Sequence, residues 1–171
     1  MELGGFIVAQ LMFGVILLES VVNQNVIIRI AQLNEMSWVN SQYDTVGFKH
    51  SNYDNELIAI AEVNGERVGV GRLQRVEQSA AELGGIFVEK EYRGLGLASK
   101  IVGFLVQNAH SYEKVFCLPF SHLSHFYQKF GFASVRIDEL VPSSIANKHQ
   151  WCNHTYDSET LLFVLHNQLK I

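Results

Sequence analysis

Two cysteines, Cys117 and Cys152, are too few to build a disulfide framework in a chain of 171 residues. Their scarcity fits a reducing compartment, and the cytoplasm is the expected location. Cys117 lies in an apolar run and reads as a small core residue. Lysine and arginine form no cluster and the formal charge is −4, which argues against a nucleic-acid partner. No internal repeat or low-complexity segment is visible. No His, Cys or acidic residues recur with the spacing of a metal site or a nucleophile triad, so no metal is expected. The longest apolar run extends from Leu3 to Leu18 in "MELGGFIVAQLMFGVILLES". It is shorter than the roughly 20 residues a membrane-spanning helix needs. It also lacks the positive flank of a secretory signal, since its only charged side chains are Glu2 and Glu19. Residues 1–25 therefore read as an extension. A helix packed on a second subunit and a segment with no function are equally open readings, the first implying a homodimer. A membrane anchor is disfavoured by length.

What is present describes a globular chain, with 48% hydrophobic and 18% charged residues. One domain at this length hides roughly 70% of the surface its unfolded chain exposes. Residues 26–171 read as that domain, built from alternating strands and helices. "NVIIRI" (25–30) is β-branched and predicts a strand. Residues 31–50 mix polar positions with Trp38, Tyr43 and Phe48 and predict short helices or an ordered loop. "ELIAIAEV" (56–63) and "ERVGVGRLQRV" (66–76) flank Asn64-Gly65, the pair a type I′ turn favours, and predict a hairpin. Gly69 and Gly71 suggest a bulge or a close backbone approach in its second strand. "AAELGGIFV" (80–88) predicts another strand. From Leu95 the period changes, and Leu97, Ile101, Phe104, Leu105 and Ala109 recur at helical spacing up to about His110. "KVFCL" (114–118) predicts a buried strand ended by Pro119. "SHLSHFYQKF" (121–130) predicts a helix with Ser121 as N-cap, stopped by Gly131. "FASVRI" (132–137) and "TLLFVLHNQ" (160–168) predict the last strands.

One junction carries chemistry. In "VEKEYRGLGLASK" (88–100) a strand hands over to a helix through two glycines and an alanine. A helix N-terminus presents unpaired N–H groups and a partial positive charge, and so attracts phosphate. Glycines let the backbone curl round an anion without a Cβ in the way. Arg93 places a positive charge beside it. The stretch is therefore a diphosphate cradle or, in the bland alternative, an ordinary strand-to-helix turn. It is not a P-loop, because no glycine precedes Lys100 directly. It is not a dinucleotide fingerprint either, because position 99 is Ser where a third glycine belongs.

"EYRGLGLASKIV" resembles the R-x-x-G-x-G/A signature of the GNAT acetyltransferase superfamily, with Arg93, Gly96 and Ala98 in the signature places. "HFYQKFGF" (125–132) resembles that family's second landmark, a Tyr-x-x-x-Gly-Phe segment after the fifth strand. The order of elements from about residue 26 onward is similar too. The resemblance implies an α/β (α+β) fold: a mixed, mostly antiparallel sheet, splayed between its fourth and fifth strands and flanked by helices. It implies transfer of an acetyl group from acetyl-CoA, as co-substrate, to a primary amine. The diphosphate would sit on the main chain of Arg93, Gly94, Leu95, Gly96, Leu97, Ala98 and Ser99. The pantetheine arm would pair with the backbone of Ile86, Phe87 and Val88. Gly84 and Gly85 would mark the splay, or a plain bulge.

Acetyl transfer to an amine makes physical demands. A lysine-like amine near pKa 10.4 costs about 4.6 kcal/mol to deprotonate at pH 7, and an α-amine roughly 1 kcal/mol. A proton acceptor is needed, and a donor for the leaving thiolate helps. Glu82, eleven residues before Arg93, stands where some family members carry a glutamate base; alternatively it is a solvated strand-edge residue. Tyr127 stands where the family's tyrosine protonates the thiolate, or it packs beside Phe126 and Phe130. Ser121, His122, Ser124 and His125 are assigned no chemistry. Ser121 and Ser124 depart from the asparagine many members carry nearby. In the family the acceptor enters over the segment after the first strand and over the last strands, so Trp38, Tyr43 and Phe48 are pocket or core. The tail "LVPSSIANKHQWCNHTYDSETLLFVL" faintly resembles amino-acid N-acetyltransferases of the N-acetylglutamate synthase type, which also carry a Pro, a Lys and a Cys ahead of the final strand. The expectation is a small-molecule amine acceptor, such as an amino acid, attacked directly in a ternary complex. A peptide or protein acceptor and a non-catalytic acyl-CoA-binding module remain as alternatives.

Overall fold

A computed structural model describes residues 24–167. Residues 1–23 of the expected N-terminal extension and residues 168–171 lie outside the described residues. Seven strands form one sheet in the order β1-β2-β3-β4-β5-β7-β6. β1 (Val26–Ile30), β2 (Glu56–Val63), β3 (Glu66–Arg75) and β4 (Ala80–Val88) pair antiparallel in sequence order. β4 then pairs parallel with β5 (Lys114–Cys117), and β7 (Phe163–His166) joins β5 and β6 (Ala133–Ser134). The β2–β3 turn has Asn64 at φ 53° and Gly65 at φ 84°, the two positive values a type I′ turn requires.

Strand alternation decides which helix covers which face. On β2, Ala59, Ala61 and Val63 face the crossover helix α2 (Leu97–Gln107), where Ile101, Val102 and Leu105 are fully buried against them. Ile58 and Ile60 point the other way, with Val70 of β3, and pack on Val39 and Tyr43 of α1 (Met36–Thr45). The same face continues over Ala80, Phe116 and Val164, where Ile145 of α4 (Ser143–Thr155) covers it. So α2 occupies one face, and α1 and α4 share the opposite one. α1 grows out of a short turn, Leu33–Glu35, tied to the sheet through Glu35. The Glu35 carboxylate accepts both terminal nitrogens of Arg29 at 2.7 Å.

Four expectations differ in extent or kind; the last strand, predicted over 160–168, is β7 over Phe163–His166. The helix predicted over 121–130 is a 3-10 turn, Ser121–Leu123, followed by the five-residue α3 (Ser124–Gln128), and Ser121 does not cap it with its side chain. The strand predicted over 132–137 pairs only at Ala133 and Ser134, because just two residues meet β7. α4 is absent from the reading of the tail. Its buried residues are Ile145 and Cys152, two in thirteen, so its apolar period is too sparse to read. Both cysteines are buried and free. Among the described residues no helix is long and apolar enough to cross a membrane.

Candidate active site

β4 is the element from which the site is built. Its parallel pairing with β5 lasts for three residues, Ala80, Ala81 and Glu82. Beyond Glu82 the two strands part. β5 ends at Cys117, while β4 runs on to Val88 paired with β3 alone. The backbone groups of residues 83–88 that face away from β3 therefore have no strand partner among the described residues. A bulge accompanies the parting: Val70 pairs with Phe87 and Arg72 with Gly84, so Gly85 and Ile86 oppose Gly71 alone. Gly85 takes φ 60°, and a Cβ there would lie 2.7 Å from the Tyr43 hydroxyl. That hydroxyl donates to the Gly85 carbonyl at 3.0 Å. Both the conformation and the contact exclude a side chain.

β4 leads through a 3-10 turn, Lys90–Tyr92, into the glycine pair. Gly94 has φ 83° and Gly96 φ 72°, and Gly96 caps α2 in the left-handed conformation. The Arg93 N–H is tied to the Lys90 carbonyl at 3.3 Å. No described group accepts from the N–H groups of Gly94, Leu95, Gly96, Leu97, Ala98 or Ser99, while Lys100 already donates to Gly96. Six consecutive amides thus stand open at the positive end of an eleven-residue helix. The Arg93 side chain folds back, its Nε donating to the Val88 carbonyl at 3.0 Å, and so pins the end of β4 to the turn.

A cleft of about 580 Å³ opens where the strands separate. Its walls are residues 46–49 after α1, residues 82–86 of β4, residues 118–120 after β5, and the inner side of α4. Glu82 and Tyr127 both line it, although they belong to opposite faces of the sheet. Glu82 pairs across to Phe116 on the α1/α4 face, whereas Tyr127 packs in the core beneath α2. Glu82 is 8% exposed, so the solvated strand-edge alternative does not describe it. Its Oε1 accepts from Lys148 Nζ of α4 at 2.5 Å. Tyr127 is held edge-on by Phe126 and Phe132, with ring centroids 5.0 and 6.0 Å away. Burial pushes its phenol well above the ordinary value, so the hydroxyl is a neutral donor at pH 7.

Other expected residues fall elsewhere. Tyr43 is fully buried beneath the cleft, and burial raises its hydroxyl to about 12. It supports the floor through Gly85 and lies under the Arg72 guanidinium, 4.6 Å from the ring centre. Trp38 is not a lining residue; Arg67 stacks on it at 5.0 Å, next to the core of α1. Phe48 does line the cleft. Ile86 lines it too, and Phe87 and Val88 continue the strand toward the glycine turn.

Sequence reasoning passed over Lys148, Cys152, Arg72 and the aromatic rim. Lys148 and Cys152 are one helical turn apart on α4, and both line the cleft. They are the lysine and cysteine of the tail, and that tail resemblance was the one available signal for them. Arg72 donates to the Lys49 carbonyl at 2.9 Å and to Ser51 Oγ at 3.0 Å, which fastens the loop after α1 to the sheet. Phe120, Trp151 and Tyr156 form an edge-on aromatic group at the mouth.

A family model described as an acetyltransferase (GNAT) domain matches residues 54–134, which run from the start of β2 to β6. No curated protein matches the chain in sequence. Solved structures of the same fold include N-acetylglutamate synthase from Neisseria gonorrhoeae complexed with coenzyme A and N-acetyl-glutamate. It is 16% identical, with TM-score 0.62 over 85% of this chain. This chain spans 36% of that synthase's length. A Mycobacterium tuberculosis protein solved in complex with CoA is 18% identical, with TM-score 0.66, and covers 83% of this chain and 99% of its own. The ribosomal-protein-S18-alanine N-acetyltransferase from Escherichia coli is 13% identical, with TM-score 0.63, and covers 86% of this chain and 97% of its own. At these identities the likeness is one of fold. The domain match over residues 54–134, the parted fourth and fifth strands and the open glycine turn agree with a GNAT acetyltransferase fold.

Proposed function

We propose that this protein moves an acetyl group from acetyl-CoA to the primary amine of a small molecule, an amino acid being the favoured class. The observation that carries the reading is the continuous backbone path from the unpaired edge of β4 to the six open amides at the head of α2. An extended amide-bearing arm pairs with such an edge as a missing strand would, here along Ile86, Phe87 and Val88. A diphosphate suits the amides of residues 94–99. The path ends at the cleft that Glu82 and Tyr127 both line.

The chemistry follows from those two side chains. Glu82 takes a proton from the acceptor's ammonium, and the free amine attacks the thioester carbonyl. The C–S bond breaks, the departing sulfur takes the Tyr127 proton, and the new amide nitrogen loses its extra proton to solvent while Glu82 and Tyr127 return to their starting states. Direct attack is favoured over an acyl-cysteine, because burial raises the Cys152 and Cys117 thiols and leaves little thiolate at either. Lys49, Arg72 and Lys148 put positive charge along the acceptor side, which suits a carboxylate-bearing amine.

A peptide or protein terminus is the second reading. Val46, Phe48, Leu123, Trp151 and Tyr156 all line the cleft and are each at least 38% exposed, a rim suited to an apolar chain. A thiol-release assay over amino acids, polyamines and short peptides separates the two, alongside calorimetry with acetyl-CoA. Turnover with free amino acids is expected. Turnover only with peptides would favour the second reading, and acetyl-CoA binding without any turnover would leave a binding module.

A further inference from the structure

The amine nearest the base belongs to the protein itself. Lys148 Nζ lies 2.5 Å from Glu82 Oε1, inside the cleft that Tyr127 also lines. The pairing is made across 66 positions of sequence, by a helix that contributes little else to the core than Ile145 and Cys152. Lys148 is not locked away, because its side chain is 44% exposed while that of Glu82 is 10% exposed. No other described group accepts a hydrogen bond from Nζ. An ordinary structural ion pair accounts for charge balance at Glu82. It does not require the ammonium to stand where an acceptor must present its nitrogen to the base.

We infer that Lys148 is a built-in acetyl acceptor, modified in cis by the protein's own acyl-CoA thioester; the inference rests on the function proposed above. Glu82 takes one proton from the Lys148 ammonium, and the freed Nζ lone pair attacks the acetyl carbonyl. An N–C bond forms, the C–S bond breaks, and the sulfur takes the Tyr127 proton. The products are Nε-acetyl-Lys148 and free coenzyme A. The second Nζ proton then passes to solvent, and Glu82 and Tyr127 return to their starting states. An acceptor held on the base needs no encounter step, so the reaction outpaces modification of lysines elsewhere on the surface. Acetylation removes the charge and ends the ion pair with Glu82. The modified protein then has an unpaired carboxylate in the cleft and one cation fewer beside it.

The test incubates the purified full-length protein with isotopically labelled acetyl-CoA, without added amine, and follows intact mass and peptide mapping. Label is expected at Lys148 at least about tenfold faster than at exposed Lys129, at a rate independent of protein concentration. Glu82→Gln and Tyr127→Phe should each lower the Lys148 rate about tenfold or more without slowing label at Lys129. Lys148→Arg, which keeps the charge, should lose the fast phase while still binding acetyl-CoA. Labelling of Lys148 no faster than Lys129, or with a rate that rises with protein concentration, overturns the inference. If calorimetry still shows acetyl-CoA binding in that case, the proposed function stands without it. If acetyl-CoA gives no binding heat, both fall together.

Discussion

The two sides of the cleft are made of different materials. The proposed coenzyme side is main chain: a strand edge without a strand partner, a bulge at Gly85, and six amides left open around Gly94 and Gly96. The proposed acceptor side is side chain: Glu82, Lys148, Arg72, Tyr127 and an aromatic rim, drawn from separate elements of the fold. A site of backbone tolerates many side chains but few changes of conformation. A site of side chains tolerates neither loss of a group nor movement of the element that carries it. The first suits a ligand common to many relatives, and the second suits what distinguishes one chain from the next.

The largest expected effect probes the side-chain half. Tyr127→Phe should lower kcat about 1000-fold and change KM for acetyl-CoA little, because one proton donor is lost and no binding surface. The raised phenol places the alkaline limb of kcat above pH 10 in the parent protein. A steady-state pH profile showing equal rates in the variant would remove the tyrosine from the chemistry. The backbone half is next. Gly96→Glu should weaken acetyl-CoA binding about 100-fold, through left-handed strain plus a negative charge at a helix N-terminus. Unchanged affinity by calorimetry would mean the amides of residues 94–99 are not the anchor.

Gly85→Ala tests whether the bulge joins the halves. The added Cβ meets the Tyr43 hydroxyl at φ 60°, and should cost about 2 kcal/mol of stability in urea unfolding. Loss of activity without loss of stability would show instead that the slot alone is disturbed. The smallest effect lies far from the cleft and sharpens the contrast. The Arg29 guanidinium holds the Glu35 carboxyl down to about 2, against 4.5 for the unperturbed group. A lowered folded-state value means the stabilisation is present above pH 4.5 and is lost as pH falls toward 2. Glu35→Gln should flatten that acid limb by about 1 kcal/mol, allowing for solvent screening, and leave kcat unchanged. Acid titrations of unfolding that superimpose for both proteins would show the pair to be idle.

The same contrast explains what could be read in the sequence. Gly94 and Gly96 announce themselves because only a special backbone needs glycine there, and local chemistry dictates local shape. The Asn64-Gly65 turn and the strands over 56–63 and 80–88 were legible for similar reasons, with alternation and turn residues agreeing. Glu82 and Tyr127 were legible only through motif resemblance. Nothing within "AAELGGIFV" says that its carboxylate meets a lysine 66 positions later. Trp38 and Tyr43 look equally suited to a pocket, and the register of α1 puts one under Arg67 and the other under the cleft floor. α4 escaped because its apolar residues are too few to show a period, so the helix that supplies Lys148 read as tail.

The parallel junction of β4 and β5 also bears on how the molecule is assembled. β2 and β3 meet across a two-residue turn, and β4 follows after four residues, so that meander is made of local contacts. Ala80 and Lys114, by contrast, close a loop that contains the whole of α2. Contacts of long sequence separation form late, after loop-closure entropy is overcome. The cleft is therefore expected to be among the last parts of the sheet to form. A chain with a finished meander and glycine turn still lacks the wall that β5 and the C-terminal elements supply, so activity is expected only once those have docked.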